Sequence, residues 1–286
     1  MNASRGAPSA AAPGVVLYDF CLWPYEPLVD PRGKRPFRDL LSASFDCVPG
    51  AAALEEVRRQ CTEAFGENAV VWGVRQGAHG LSWELYFYDY ARQQRRVSID
   101  SVRKALALPP LEPGERLEHL PYFMCSVEVD AHGQVSPLID VYVGTPGSEV
   151  SAGLCYAFDG KSLTFKNLYH FYETARSRTE VLDQLACSMH LPSGFDAIDS
   201  LLWPQVADCR TLVVANKRLC DGLYYSRVDA SQALWFMRRC RFAGPLVTHL
   251  ERNLADYAHL LFDLGVDFRN ARGRLDFFRS AFYGVV

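Results

Sequence analysis

In the stretch "VVWGVRQGAHGLSWELYFYDY", residues 70–90, the character of the side chains changes at every second position. A period of two predicts β-strands, because successive side chains leave opposite faces of a strand. Folding the stretch back at "GAHG" puts Val70, Trp72, Val74, Leu81, Trp83, Leu85 and Phe87 on one face. Gly73, Arg75, Ser82, Glu84, Tyr86 and Tyr88 fall on the other. A second hairpin, "YFMCSVEVD" returning as "VSPLIDVYVG", divides in the same way if its loop has five residues. Phe123, Cys125, Val127, Val129, Val135, Pro137, Ile139 and Val141 form its apolar face. Tyr122, Met124, Ser126, Glu128, Ser136, Asp140 and Tyr142 form the opposite one.

A third pair is predicted over 151–165, turning at Asp159-Gly160, and a fourth over 211–228, turning at Asp221-Gly222. A two-residue turn at Asp221-Gly222 gathers Asn216, Arg218, Tyr225 and Arg227 on one face, with Val213, Ala215, Leu219, Tyr224 and Val228 opposite. A three-residue loop instead joins Lys217 to Tyr225 and Arg227, so the side taken by Lys217 stays open. Strands are also expected at 15–23 and 274–286. Helical spacing predicts helices over 51–65, 98–108, 167–191, 230–240 and 245–265, with Ser98 as an N-cap and Gly265 as a stop.

Hairpins separated by helices give an α+β class: one domain over 15–286 after a disordered leader over 1–14. The expected architecture is an antiparallel, barrel-like sheet of about ten strands with helices on its apolar face. The first and last strands would supply the fifth pair. The second face, rich in tyrosine and arginine, suits either an open sheet with one wet side or an enclosed polar lumen, which also removes the sheet edges.

A formal net charge of −3 over 286 residues lacks the basic excess of a nucleic-acid binder. Nine cysteines, an odd number with no CxxC pair, point to free buried thiols and a reducing, cytoplasmic setting. No apolar run reaches the roughly 18 residues of a membrane span. The histidines are scattered, and neither a metal-ligand spacing nor a nucleotide-binding glycine loop nor a GxSxG elbow occurs. His259 is expected to be a helix-face or core histidine.

What remains is a set of strand cations: Arg75, Arg218, Arg227 and Arg279, with Lys217. Converging, they would bind a phosphate or carboxylate, which guanidinium groups pair bidentately. Arg218 and Arg227 are expected side by side on the face of Tyr225. Tyr86, Tyr88, Tyr142, Tyr225 and Tyr283 could wall such a site and stabilise a carbocation through their ring faces. Glu84 is the candidate proton acceptor; an Arg75–Glu84 structural salt bridge is the plainer alternative.

This plan resembles the aromatic prenyltransferases of the ABBA type, the PT-barrel family, over roughly residues 15–286, in element order and face chemistry. The resemblance implies ten antiparallel strands around a lumen, ringed by helices. It also implies a prenyl diphosphate and an aromatic acceptor as substrates. Arg75, Arg218, Arg227 and Arg279 would hold the diphosphate, Tyr86, Tyr142 and Tyr225 would shield the allyl cation, and Glu84 would activate the acceptor. No protein-held metal or other cofactor is implied; Mg2+ enters only as a companion of the diphosphate. The chain lacks the Asp-rich DDxxD motif of all-helical prenyl synthases, and strands run without an intervening helix around 135–166. Two other classes use the same face: a non-catalytic small-molecule carrier and a protein-interaction domain. Oligomeric state is left open.

Overall fold

A computed structural model describes residues 16–90, 94–111, 117, 119–144 and 152–286, apart from the side chains of 175–177. The leader expected over 1–14 lies outside these residues. Strand β1 (Leu17–Tyr18) pairs with β2 (Pro24–Tyr25) in a short ladder of its own. Helices α1 (Phe37–Phe45) and α2 (Ala51–Phe65) precede the first hairpin, β3 (Val70–Gly77) and β4 (Gly80–Tyr88). Helix α3 (Ile99–Ala105) leads to β5 (Tyr122–Val129) and β6 (Val135–Gly144). The third hairpin is β7 (Ala152–Phe158) and β8 (Leu163–Glu173), followed by α4 (Thr174–Ala186). Then come β9 (Thr211–Lys217) and β10 (Asp221–Val228), and α5 (Ala230–Arg239), α6 (Gly244–Arg252) and α7 (Leu254–Tyr257). The last hairpin is β11 (Phe262–Ala271) and β12 (Arg274–Val285).

Each strand from β3 onward pairs antiparallel with the next, and β12 returns to pair with β3, giving a closed ten-stranded barrel. Closure rules out the open-sheet alternative: Tyr86 and Tyr88 are buried inside. In this meander all five hairpin turns lie at one end, the hairpin end. The β4–β5, β8–β9 and β10–β11 connections, with their helices, lie at the other, the helix end. Among the described residues no helix is long and apolar enough to cross a membrane.

The apolar faces read from alternation turn outward under the helices. Trp72, Trp83, Leu85 and Phe87 pack with Phe45, Leu54 and Cys61 in the main core. Trp83 donates its indole N–H to Ser44 Oγ at 2.9 Å, so α1 is pinned by a buried hydrogen bond as well as by area. Ser98 caps α3 by accepting from the Ser101 backbone N–H at 3.0 Å.

Four expectations change. Residues 167–173, expected to be helical, complete β8, because they find hydrogen-bonding partners on both β7 and β9. The helix expected to reach Gly265 ends earlier, and residues 262–271 form β11. The fifth pair is therefore β11 with β12, not the first strand with the last. In β5 an irregularity between Tyr122 and Met124 sends Tyr122 outward and Phe123 toward the lumen cluster, the reverse of strict alternation.

Candidate functional site in the barrel lumen

The inner face is layered from the hairpin end inward. The first layer is charged. Arg75 on β3 donates to Glu84 on β4 at 2.9 Å and forms a two-pronged pair with Glu128 on β5, both bonds at 3.0 Å. Lys217 on β9 donates to Asp267 Oδ1 on β11 at 2.6 Å, and Arg279 on β12 holds Oδ2 of the same carboxylate through Nε at 2.7 Å. Lys166 on β8 reaches Asp140 on β6 at 2.5 Å. Each of these four cations thus has a carboxylate of the chain against it. Burial alone would push the Asp267 carboxyl up, but Lys217 and Arg279 outweigh it and hold it below the usual carboxylate value. Burial likewise opposes the charge on Arg75, and Glu84 and Glu128 overcome it and raise its pKa.

Beneath lies a ring of five tyrosines, one from the second strand of each hairpin: Tyr86, Tyr142, Tyr169, Tyr224 and Tyr283. Neighbouring ring centroids are 6.2, 6.0, 6.2, 6.5 and 5.9 Å apart around the circle. Four of their hydroxyls are tied to side chains on the hairpin side of the ring. Tyr86 and Tyr283 donate to Glu84 Oε2 at 2.9 and 3.5 Å, Tyr224 accepts from Lys217 at 2.9 Å, and Tyr169 accepts from Asn167 at 2.9 Å. Burial raises the pKa of all five phenols well above the ordinary value, so they stay neutral. Strand glycines make room for the rings. Gly73 pairs across from Tyr283, and a Cβ on Gly73 would come within 2.5 Å of that ring. A cavity of about 30 Å³, room for a few waters, sits between the two layers, against Arg75, Glu84, Lys217, Asp267, Arg279 and Tyr283.

At the helix end the segment 19–23 turns into the lumen. Phe20 stands edge-on to Tyr86, Tyr283 and Tyr88, with centroids 5.0, 5.1 and 6.2 Å away.

The structure brings Arg75, Glu84, Tyr86, Tyr142 and Arg279 together in the lumen and separates the other three expected site residues from them. Arg218 is exposed at the tip of the β9–β10 hairpin. Tyr225 faces the helices, where its hydroxyl donates to the Leu201 carbonyl at 3.1 Å. Arg227 lies at the opposite end of β10 from Arg218, paired with Asp19 at 2.7 Å, so the side-by-side pair does not form. The cause is the turn. Asn216 pairs with Asp221, which puts the turn at residues 217–220 and not at Asp221-Gly222. The two faces then separate as expected, but the lumen receives Val213, Ala215, Lys217, Gly222 and Tyr224. Tyr169 was missed because residues 167–173 were read as helix, and Asp267 because the residues after Gly265 were given no strand. The alternation of Asn167, Tyr169 and Phe171 was the available signal.

Among the described residues no three His, Cys, Asp or Glu side chains converge as a metal site, and Asp267, beside the cavity, already carries two cations. No family model matches the chain, and no curated protein matches it closely enough to show kinship.

Proposed function

We propose that the barrel transfers a prenyl group from a prenyl diphosphate to an aromatic acceptor held in the lumen. The observation that carries the reading is the convergence of Arg75, Lys217 and Arg279 on one cavity that is also lined by Tyr224 and Tyr283, two members of the tyrosine ring. This combination, inside ten antiparallel strands ringed by helices, resembles the PT-barrel aromatic prenyltransferases. The three cations would take the diphosphate. The allylic C–O bond breaks with its electron pair on the departing diphosphate, whose charge the cations neutralise. The carbocation faces Tyr86, Tyr224 and Tyr283, each ring worth about 0.5–2 kcal/mol of cation–π attraction. An aromatic carbon of the acceptor attacks, and Glu84 accepts the proton that the attacked ring sheds. Binding exchanges one anion at fixed cations: phosphate oxygens replace Glu128 at Arg75 and approach Lys217 and Arg279 from the cavity, with Asp267 kept between the two. Glu128 and Lys166, with side chains 44% and 40% exposed, form the rim that moves aside.

Full internal pairing of the lumen cations favours one other reading, a barrel that carries a neutral small molecule without chemistry. Incubation with dimethylallyl or geranyl diphosphate and a panel of indoles, phenols and naphthols separates the two. Prenylated product found by mass spectrometry, and lost in Lys217→Ala and Arg279→Ala, supports transfer. Binding of an aromatic compound with neither diphosphate binding nor product supports the carrier.

A further inference from the structure

We infer that the 19–23 turn is a built-in plug: Phe20 occupies an aromatic-binding site of the lumen, and a flat aromatic molecule enters by displacing it, in a carrier as in a transferase. The lumen as it stands has no room for such a guest. Its cavity between the charged layer and the tyrosine ring is about 30 Å³, whereas an apolar space of roughly 150 Å³ takes one benzene. The ring of Phe20 itself fills the space that a guest needs. Tyr86, Tyr283 and Tyr88 flank it, with centroids at 5.0, 5.1 and 6.2 Å and interplanar angles of 68, 76 and 87°. Edge-to-face contact is an arrangement that aromatic rings prefer. Three tyrosines disposed in this way select for a ring, whichever molecule carries it.

Phe20 reaches this site from a segment that is not part of the barrel wall. It sits in the turn between β1 and β2, which pair only with each other. Phe20, Cys21 and Leu22 are partly buried, and Trp23 is 57% exposed. Asp19 Oδ1 accepts from the backbone N–H groups of Cys21 and Trp23, both at 2.9 Å, which fixes the shape of the turn. Polar bonds tie the turn to the wall. Asp19 Oδ2 takes the Arg227 guanidinium at 2.7 and 2.8 Å. The Phe20 N–H donates to Asp263 Oδ2 at 3.0 Å, and Tyr88 donates its hydroxyl to the Phe20 carbonyl at 2.5 Å. Water replaces hydrogen bonds of this kind one for one, so their net hold on the turn is modest. Leu22 holds left-handed backbone, φ 55°, and withdrawal of the turn lets it relax.

The test titrates indole, phenol and toluene into the full chain and into Phe20→Ala. No diphosphate is present, so the outcome is independent of whether the transfer reading holds. Alkylation of Cys21 by iodoacetamide is followed in parallel, at the Cys21 peptide by mass spectrometry. With the turn docked Cys21 reacts slowly: burial, with the Asp263 and Asp19 charges adding to it, pushes its thiol up to about 12. Wild type is expected to bind at least one of the three aromatics about ten-fold more weakly than Phe20→Ala, because a plugged site is competent for only a fraction of the time. Filling the wild-type site is expected to release the turn and quicken Cys21 alkylation several-fold. In Phe20→Ala the guest takes the vacated space, and Cys21 alkylation does not respond to it. Binding by Phe20→Ala alone makes Phe20 an ordinary core residue and overturns the inference. So do equal binding by the two proteins, wild-type binding without faster Cys21 alkylation, and no binding by either. If Phe20→Ala loses its cooperative melt, Asp19→Asn decides: its amide oxygen still accepts from Cys21 and Trp23, but the ion pair with Arg227 is gone. Tighter aromatic binding than wild type then upholds the plug, and equal or weaker binding overturns it.

Discussion

Lys217 Nζ stands 2.6 Å from Asp267 Oδ1, although fifty positions of sequence separate the two residues. With Arg279 on the other oxygen, one buried carboxylate is shared by two cations of the proposed anion site. Replacing Asp267 by Asn leaves both cations without a full counter-charge, at a cost of about 3–5 kcal/mol. An added anion should restore it. Thermal melts of Asp267→Asn are expected to fall well below wild type and to climb with millimolar inorganic diphosphate by more than wild type does. A variant that diphosphate fails to rescue would show that these cations are structural.

The tyrosine ring depends on backbone without side chains. A Cβ on Gly73 would lie 2.5 Å from Tyr283 Cε1, whereas one on Gly77 meets nothing within 4 Å. Gly73→Ala should therefore cost about 1–3 kcal/mol through overpacking. Gly77→Ala should stay within about 0.5 kcal/mol. Urea midpoints at an unchanged m-value report the difference.

The two middle residues of "LYYS" test which face is which. Tyr224 touches the lumen cations, and Tyr225 holds the Leu201 carbonyl outside the barrel. Tyr225→Phe is expected to cost about 1 kcal/mol of stability and to leave diphosphate affinity unchanged. Tyr224→Phe is expected to change affinity. Equal effects on affinity would put the register in question.

Much of the barrel was legible in the sequence where one face is uniformly apolar. The β3–β4 hairpin, with tryptophans facing out and Arg75, Glu84 and Tyr86 facing in, is as the alternation predicts. The β9–β10 hairpin was read inside out for a physical reason. Its lumen face is built from Val213, Ala215 and Gly222, small residues that leave space for Tyr224 and Lys217. Its outer face carries Asn216, whose amide oxygen accepts from Gln184 of α4 at 2.9 Å. Polarity alone therefore points the wrong way. In "LADYAHLLFDLGVDF" the short helix α7 ends at Tyr257 and β11 begins at Phe262, with scarcely a polar break between them. Periodicity does not mark that boundary; closure of the barrel does.

Asp263 sets a pH dependence at the helix end. Burial, with the nearby Asp19 charge adding to it, pushes its carboxyl up to about 7, although hydrogen bonds from Ser226 and the Phe20 and Arg227 backbones oppose the rise. The folded state then holds a proton that the unfolded chain releases near pH 4, so stability falls as pH climbs from about 4 to about 7. The slope in that interval is roughly 1.4 kcal/mol per pH unit. Asp267 has the opposite sign: its lowered pKa adds stability above the ordinary carboxylate range, and that stability is lost on acidification. Chemical denaturation at half-unit pH steps should show the slope in wild type and a flatter profile in Asp263→Asn.

The central claim is that Arg75, Lys217 and Arg279 bind the diphosphate of a prenyl donor. Isothermal titration of geranyl diphosphate into wild type and into Lys217→Ala tests it most directly, with Arg218→Ala, altered only at the exposed hairpin tip, as the control. Saturable binding by wild type and Arg218→Ala, weakened about ten-fold or more in Lys217→Ala, is the predicted result. No binding by wild type, or equal binding by all three proteins, would contradict the account.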